Sequence, residues 1–257
     1  ETPALVRGIG DQRLRYLRHA VNVGPKRNFH YALEKARGDY FLLLHDDDVI
    51  DEDFVAVCIA AAEGRVHEGV IRTGVRVIDG RGATIRTAEN LVEGGSLAAF
   101  YRAWFSGKTC WYLVNTLFST QQLRAQGGFR SPYGLAEDGF AIAQSARSHR
   151  IDVPQVKASF RVHEGENTLA NPTEAVLWGR EYLALLDRMC EWVAPNDVKR
   201  VRREGRRFFA RLAYNRSALM STRLQRVRSR CEVLQLFGYR CWPTHQSAPL
   251  RFLRRAP

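Results

Sequence analysis

The chain has 257 residues, 45% of them hydrophobic, and a formal net charge of +12 at pH 7. This length allows one large domain or one domain with an appendage, and the composition is ordinary for a protein with a buried core. The longest apolar stretch, residues 54–62, is too short for a membrane helix, which needs roughly 20 residues. The five cysteines form no C-x-x-C pair, which favours reduced thiols in a cytoplasmic protein and argues against a structural zinc site.

The first motif in the chain surrounds the start of a helix. Asn22 and Gly24 precede a predicted helix that ends before Gly38, and Lys26 and Arg27 fall in its first turn. A helix N-terminus with cationic side chains suits a phosphate group, and a glycine lets the backbone approach a ligand closely. The segment is therefore a candidate phosphate site. The alternative is that Arg27 pairs with an acidic neighbour.

An acidic triplet follows the next element. Residues 40–44 are five large apolar residues, and they predict a buried strand of a mainly parallel sheet. His45 and then Asp46, Asp47 and Asp48 come directly after this strand. Two unit charges about 4 Å apart repel by roughly 4 kcal/mol at an effective dielectric of 20, so the cluster favours a bound divalent cation with oxygen ligands. The end of a core strand is also where α/β sheets bind ligands. A solvated acidic turn is the alternative.

Further motifs occur downstream. Residues 51–53 are acidic, which suits the first turn of an apolar helix beginning at residue 54. Three short motifs then follow in the chain: G-G-F at Gly127, Gly128 and Phe129, an E-D pair at Glu137 and Asp138, and R-x-H ending at His163.

The order of these motifs resembles that of the family 2 glycosyltransferases, which have the GT-A fold. The family pattern contains N-x-G, R-N, a helix, A-x-G-D/E-Y, an apolar strand, an Asp-rich metal motif, G-G-F, an E-D pair and a late R-x-H. Residues 1–170 contain all of these in the same order. Each motif alone is weak, and the shared order carries the resemblance. The fold expected is therefore α/β, a GT-A type three-layer nucleotide-sugar-binding fold with a C-terminal basic helical extension.

The resemblance implies a metal site. Aligned on the family motif, Asp47 is expected to be the firmest ligand of a Mn²⁺ or Mg²⁺ ion. Asp46 or Asp48 would assist, through water or through hydroxyl groups of the donor, and His163 would add a metal contact. His45 replaces an acid of the family motif, and a capping or packing role is as well supported as a functional one. A histidine at a strand end, such as His163, is more often structural.

The resemblance also implies the remaining roles. Three residues would hold the nucleotide and donor: Asn22, Lys26 and Arg27. Asp138 would be the base that deprotonates the acceptor, with Glu137 in support, although an acidic first turn of a helix is the simpler alternative for this pair. The loop Gly127, Gly128 and Phe129 would line the acceptor side.

Compared with the family, the chain starts late. Family members begin with a strand, a helix and a second strand ending in a D-D-x-S turn, and these elements hold the first aspartate that contacts uridine. Residue 1 corresponds to the stretch just after that turn, so the resemblance predicts an N-terminally incomplete GT-A domain. Such a loss would weaken nucleotide binding and expose an edge of the sheet.

Charge divides the chain. Residues 1–170 hold 21 Lys and Arg against 20 Asp and Glu, whereas residues 171–257 hold 18 against 7. We therefore predict a GT-A catalytic domain over residues 1–170 and a basic, mainly helical region over residues 171–257, its first helix starting near Pro172. Such helices could lie on an anionic membrane. A solvated face is an equal alternative, and nucleic acid ranks well below both, because no binding motif accompanies the arginines.

Together these features predict an inverting, metal-dependent glycosyltransferase of the hexosyltransferase type. It would move a sugar from a nucleotide-diphosphate donor, expected to be a UDP-sugar, to a hydroxyl of a glycan or lipid-linked acceptor. The resemblance implies a cell-surface polysaccharide or glycolipid pathway, with the protein in the cytoplasm or peripheral at the inner face of the membrane. Two rivals remain: a nucleotidyltransferase, whose G-x-G-T-R-type loop the chain lacks, and a degenerate GT-A domain whose arginine-rich helices bind anionic surfaces.

Overall fold

The computed structural model describes residues 2–64, 66, 69–163, 175–238 and 241. The first elements are α1 (Thr2–Ile9), α2 (Pro25–Lys35), β1 (Tyr40–Leu42), β2 (Val49–Ile50) and α3 (Phe54–Ala61). They are followed by β3 (Val70–Ile78), β4 (Thr84–Ala88), α4 (Leu97–Phe105), β5 (Thr116–Ser119), α5 (Thr120–Ala125), α6 (Glu137–Ser145) and β6 (Arg150–Arg161). Three longer helices complete the described chain: α7 (Ala175–Trp192), α8 (Pro195–Arg216) and α9 (Arg223–Phe237).

The described strands form one mixed sheet in the order β1-β5-β3-β6-β2, with β4 paired to β3. The central strand, β3, is almost wholly buried and runs parallel to β6. The other pairings are antiparallel. The prediction of a mainly parallel sheet is therefore wrong. An apolar run such as residues 40–44 is consistent with either direction of the partner strand. In this run only Phe41 and Leu43 are buried, and Leu44 is 44% exposed.

The sheet brings the acidic triplet beside the end of β6. Val49 of β2 pairs with Ser159 of β6, and Ile50 pairs with Ala158. Residues 45–48 come just before β2 and therefore lie next to Arg161, the last residue of β6. Two segments more than 100 positions apart in the sequence thus meet at one edge of the sheet.

The hydrophobic core includes the C-terminal helices. Phe209 of α8 is 0% exposed, and its ring lies 5.5 Å from that of Trp104 of α4 and 5.1 Å from that of Tyr182 of α7. Trp111 is buried in the same cluster and stacks on Trp104 with 4.1 Å between ring centroids. The predicted helix start near Pro172 and the predicted domain boundary lie outside the described residues.

Among the helices in the described ranges, none has both the length and the apolar character needed to cross a membrane. All five cysteines are free thiols. Cys58 is buried in α3, and burial raises the pKa of its thiol to about 12. This thiol therefore stays protonated at neutral pH and acts as a small core side chain.

Candidate active site

Three side chains around the predicted metal motif converge. His45, Asp47 and Asp48 each offer one ligand atom, and these atoms lie within 4.8 Å of one another. The tight turn after β1 makes this possible, because the backbone N–H of Asp48 donates to the carbonyl oxygen of His45 at 3.4 Å. Asp46 is exposed and is not part of the cluster. Two carboxylates and an imidazole suit Mn²⁺ and related divalent ions, so the residues present fit the ion that the resemblance implies.

Asp48 is the most deeply buried member of this cluster, at 9% exposure. The pKa of its carboxyl is raised to about 6, mainly by burial and also by the charge of Asp47. The backbone N–H of Arg161, which donates to Asp48 Oδ1 at 2.9 Å, opposes this rise. Two nearby carboxylates, one of them desolvated, are an arrangement that a cation stabilises.

The R-x-H motif completes the cluster from β6. His163 Nε2 lies 3.0 Å from Asp47 Oδ2. Arg161 donates from Nε to the carbonyl oxygen of Asp47 at 2.7 Å and from Nη1 to that of Asp79 at 3.0 Å. Arg161 therefore ties the end of β6 to the acidic turn, while His163 contacts the carboxylate expected to be the main metal ligand.

Helix α2 joins the acidic cluster to the E-D pair. The ring of Phe29 stacks on that of His45, with 5.4 Å between centroids. One turn earlier on α2, Lys26 Nζ lies 3.0 Å from Glu137 Oε1 and also donates to the carbonyl oxygen of Gly134. One short helix thus contacts both halves of the predicted site.

The turn before α2 depends on Asn22 and Gly24. Asn22 Oδ1 accepts the backbone N–H of Gly24 at 2.8 Å, and Gly24 has a φ of 78°, which glycine adopts without strain. The side chain of Asn22 therefore shapes the start of α2. Arg27, in the first turn, is exposed.

The G-G-F loop packs on α2. Gly127 and Gly128 have φ values of +85° and +73°, and a Cβ at Gly128 would lie 3.0 Å from His30 Cε1. His30 Nε2 lies 3.0 Å from the carbonyl oxygen of Phe129. Phe129 is 3% exposed and has ring contacts with Phe29, Phe41 and Phe118. Its side chain anchors the loop, which leaves the loop backbone as the part suited to contact an acceptor.

Asp138 lies in the first turn of α6. The pKa of its carboxyl is raised, first by burial and also by Glu137. The N–H of Gly139, which donates to Asp138 Oδ1 at 2.7 Å, and the charge of Arg216 oppose this rise. A carboxylate with a raised pKa accepts protons more readily near neutral pH. The surroundings of Asp138 therefore suit a general base.

Two residues near this pair, Glu181 and Arg216, were not predicted from the sequence. Glu181 of α7 is 0% exposed and accepts backbone N–H groups from the loop before α6. The guanidinium of Arg216 lies 3.5 Å from the ring centroid of Trp178, and its Nε donates to the Tyr182 hydroxyl at 3.4 Å. A signal was present for Glu181, because it interrupts the apolar face that Trp178 and Tyr182 form on α7.

Comparisons with known proteins support the family resemblance and the fold predicted from the sequence. Residues 1–125 match the model of the family described as "Glycosyl transferase family 2", while a search of curated proteins finds no match. The crystal structure of S. aureus TarS 1-349 in complex with UDP-GlcNAc is similar to 93% of this chain and 70% of that chain, with a TM-score of 0.61 and 15% identity. The metal motif and α2 lie inside the matched segment, and the E-D pair lies beyond it. The chain thus has the GT-A fold predicted from its sequence, and its residues 1–125 match the model of glycosyltransferase family 2.

Proposed function

We propose that the chain is an inverting glycosyltransferase that moves a sugar from a UDP-sugar to a hydroxyl group of a glycan or lipid-linked acceptor. The observation that carries this proposal is the double contact of α2, through Phe29 with His45 and through Lys26 with Glu137. A candidate metal site and Glu137, the residue next to the candidate base, thereby contact neighbouring positions of one helix. The similarity to TarS, which was crystallised with UDP-GlcNAc, supports the choice of donor class.

The donor side combines several charges. His45, Asp47 and Asp48 would hold a Mn²⁺ or Mg²⁺ ion, with His163 against Asp47. When bound, such an ion neutralises negative charge on the diphosphate leaving group. Lys26 and Arg27 add positive charge at the N-terminus of α2, which favours phosphate oxygens. Asn22 shapes that terminus, and the exposed carboxylate of Asp46 is suited to hydroxyl groups of the donor.

Asp138 would be the general base. The acceptor oxygen forms a bond to the anomeric carbon while the bond from that carbon to the β-phosphate oxygen breaks. Asp138 takes the proton of the acceptor hydroxyl, and UDP leaves with the bonding electron pair. One displacement of this kind inverts the anomeric centre. Glu137, paired with Lys26, supports the base, and the backbone of residues 127–129 lines the acceptor side.

The first test is calorimetric titration of UDP into the protein with and without Mn²⁺. We expect binding that requires the ion and that Asp47→Ala weakens at least tenfold, which corresponds to about 1.4 kcal/mol. Asp53→Ala is the matched control. Asp53 belongs to the same acidic segment but lies outside the cluster, 2.5 Å from Lys157 and with a side chain 53% exposed.

Two outcomes would contradict the proposal. UDP binding that is equal with and without the ion, or equally strong in Asp47→Ala and wild type, would remove the acidic cluster from the donor site. Product analysis separates the enzymatic rivals, because a glycosyltransferase releases UDP from a UDP-sugar whereas a nucleotidyltransferase transfers the nucleotide itself.

A second contact is proposed for the C-terminal region, with an anionic membrane surface. On α9, Leu224 and Val227 are 79% and 51% exposed, and Arg223 and Arg228 beside them are also exposed. An exposed helix face that combines apolar and basic side chains is typical of peripheral membrane contact. This surface lies on the same region that holds the surplus positive charge.

A further inference from the structure

Glu181 is a charged residue in the core. It lies on α7 with 0% exposure, and no salt bridge to it is found in the described ranges. A buried carboxylate is strongly unfavourable unless its oxygens accept hydrogen bonds. The groups that satisfy Glu181 therefore show why a carboxylate is tolerated at this position.

Glu181 accepts three backbone N–H groups from one loop. Its Oε2 accepts the N–H of Tyr133 at 2.8 Å, and its Oε1 accepts those of Ala136 at 3.1 Å and Leu135 at 3.3 Å. Ala136 is the N-cap residue of α6, where no side-chain capping hydrogen bond is made. The carboxylate of α7 thus satisfies N–H groups at the entrance to α6, and charge-assisted bonds of this kind are stronger than neutral ones.

The loop that Glu181 contacts leads directly into the predicted catalytic pair. Glu137 and Asp138 come directly after Ala136, so any movement of the loop moves the first turn of α6. One turn further along α7, Leu185 Cδ2 lies 3.2 Å from the position that a Cβ on Gly139 would occupy. Helix α7 therefore holds the start of α6 in two ways. Glu181 accepts hydrogen bonds from the loop before α6, and Leu185 packs closely against Gly139.

We propose that Glu181 is the positioning residue for the catalytic base Asp138. The inference rests on the proposed function, because it needs Asp138 to act as the base. It makes α7, from the C-terminal helical region, part of the catalytic apparatus. Glu181 acts on turnover through the direction of the Asp138 carboxylate, and it has no part in nucleotide binding.

The test is Glu181→Gln, which replaces one acceptor oxygen by an NH₂ group. Because both carboxylate oxygens of Glu181 accept backbone N–H groups, this NH₂ group would face an N–H donor and could not accept its hydrogen bond. The activity measured is release of UDP, with water as the acceptor, from the best substrate in a panel of UDP-sugars with Mn²⁺. Misplacing a catalytic group by about 1 Å can lower the reaction rate on the order of 100-fold. We therefore expect kcat to fall by about 10- to 100-fold. Calorimetry should show a UDP affinity within about twofold of the wild-type value. This is well below the tenfold loss of affinity expected for Asp47→Ala.

Glu204→Gln is the matched control. Glu204, on α8, pairs with Arg102 at 2.8 Å and Arg200 at 3.0 Å. This change therefore also removes the charge of a partly buried carboxylate, but it does not affect the loop before α6. We expect wild-type kcat for Glu204→Gln. If Glu181→Gln does not fold, Glu181→Asp serves instead, since it keeps the charge and shortens the reach by one methylene, and an intermediate loss of kcat is expected.

The outcomes separate the two proposals. Loss of activity in Asp138→Asn with wild-type kcat in Glu181→Gln and Glu181→Asp overturns the positioning role alone. So does a loss of kcat that is accompanied by an equal loss of UDP affinity, or one that Glu204→Gln reproduces. Full activity of Asp138→Asn, or no release of UDP by the wild-type protein from any sugar in the panel, overturns the proposed function and this inference with it.

Discussion

Two carboxyls of the site, Asp48 and Asp138, have raised pKa values for the same first reason, which is burial. Their neighbours then differ. Asp48 lies beside Asp47 and an imidazole, a set that attracts a cation. Asp138 has one acidic neighbour, Glu137, and the opposing charge of Arg216. The same residue type is therefore suited to a ligand role in one place and to proton transfer in the other.

Arg216 should contribute to the pH dependence of turnover. The base form of Asp138 exists above its pKa, so activity is lost as pH falls through that raised value. Glu137 raises the pKa, while Arg216 and the N–H of Gly139 lower it. Removing the positive charge in Arg216→Met should therefore move the acidic limb of the kcat profile to higher pH.

Arg216→Lys is the control for this prediction, because it keeps a positive charge at the same place. Its acidic limb should stay close to that of the wild-type protein when UDP release is followed across the pH range. An unchanged profile in Arg216→Met, or a shift toward lower pH, would contradict the prediction.

Among the elements, α8 depends on close approach to its neighbours. A Cβ at Gly205 would overlap Leu186 Cδ1 of α7 and lie 3.1 Å from Phe105 Cζ of α4. Glycine in a helix interior is unfavourable by about 1 kcal/mol relative to alanine. Its presence at this point is explained by packing, since three helices meet where the side chain is missing.

Gly205→Ala should therefore destabilise the protein although alanine favours the helix. Overpacking of a core typically costs 1–3 kcal/mol, which exceeds the gain in helix propensity of about 1 kcal/mol over most of that range. Urea unfolding measures the change in free energy. Gly8→Ala is the matched control, because Gly8 also lies in a helix and has no atom within 4 Å of the added Cβ. Greater stability of Gly205→Ala than of the wild-type protein would show that the helices separate without cost.

The surplus positive charge is concentrated in the C-terminal region, whereas the hydrophobic core is shared between the two regions of the chain. Residues 171–257 hold 18 basic against 7 acidic residues, yet their helices share one buried cluster with α4 and α6. Several arginines are used within the fold, such as Arg202, which pairs with Asp187 at 2.5 Å. The exposed face of α9 at Arg223, Leu224 and Val227 is the part best suited to an anionic membrane.

Vesicle sedimentation tests this contact. The protein should bind vesicles rich in phosphatidylserine but not zwitterionic ones. Binding should weaken with salt, because the Debye length falls from about 10 Å at 0.1 M to about 3 Å at 1 M. The double variant Arg223→Gln/Leu224→Gln should bind more weakly. Loss of the arginine alone accounts for about a fivefold decrease in affinity, because each basic residue near an anionic surface contributes roughly 1 kcal/mol.

Leu5→Gln, at another exposed leucine, is the control and should leave vesicle binding unchanged. Asp47→Ala should also bind vesicles normally, since the acidic cluster is not part of the surface. Equal binding to neutral and anionic vesicles, or an undiminished affinity in the double variant, would favour a solvated face instead.

The local features of this protein could be predicted from its amino-acid sequence alone. The apolar strand before His45, the acidic turn after it and the cationic start of α2 follow from side-chain chemistry and short-range periodicity, and their order led to the family and the GT-A fold. Contacts between distant segments could be seen only in the folded chain. His163 reaches Asp47 because β2 pairs with β6, and Glu181 reaches the loop before α6 because α7 packs there. Strand direction, the exclusion of Asp46 from the cluster and the partners of Asp138 depend on packing, which local sequence patterns do not encode.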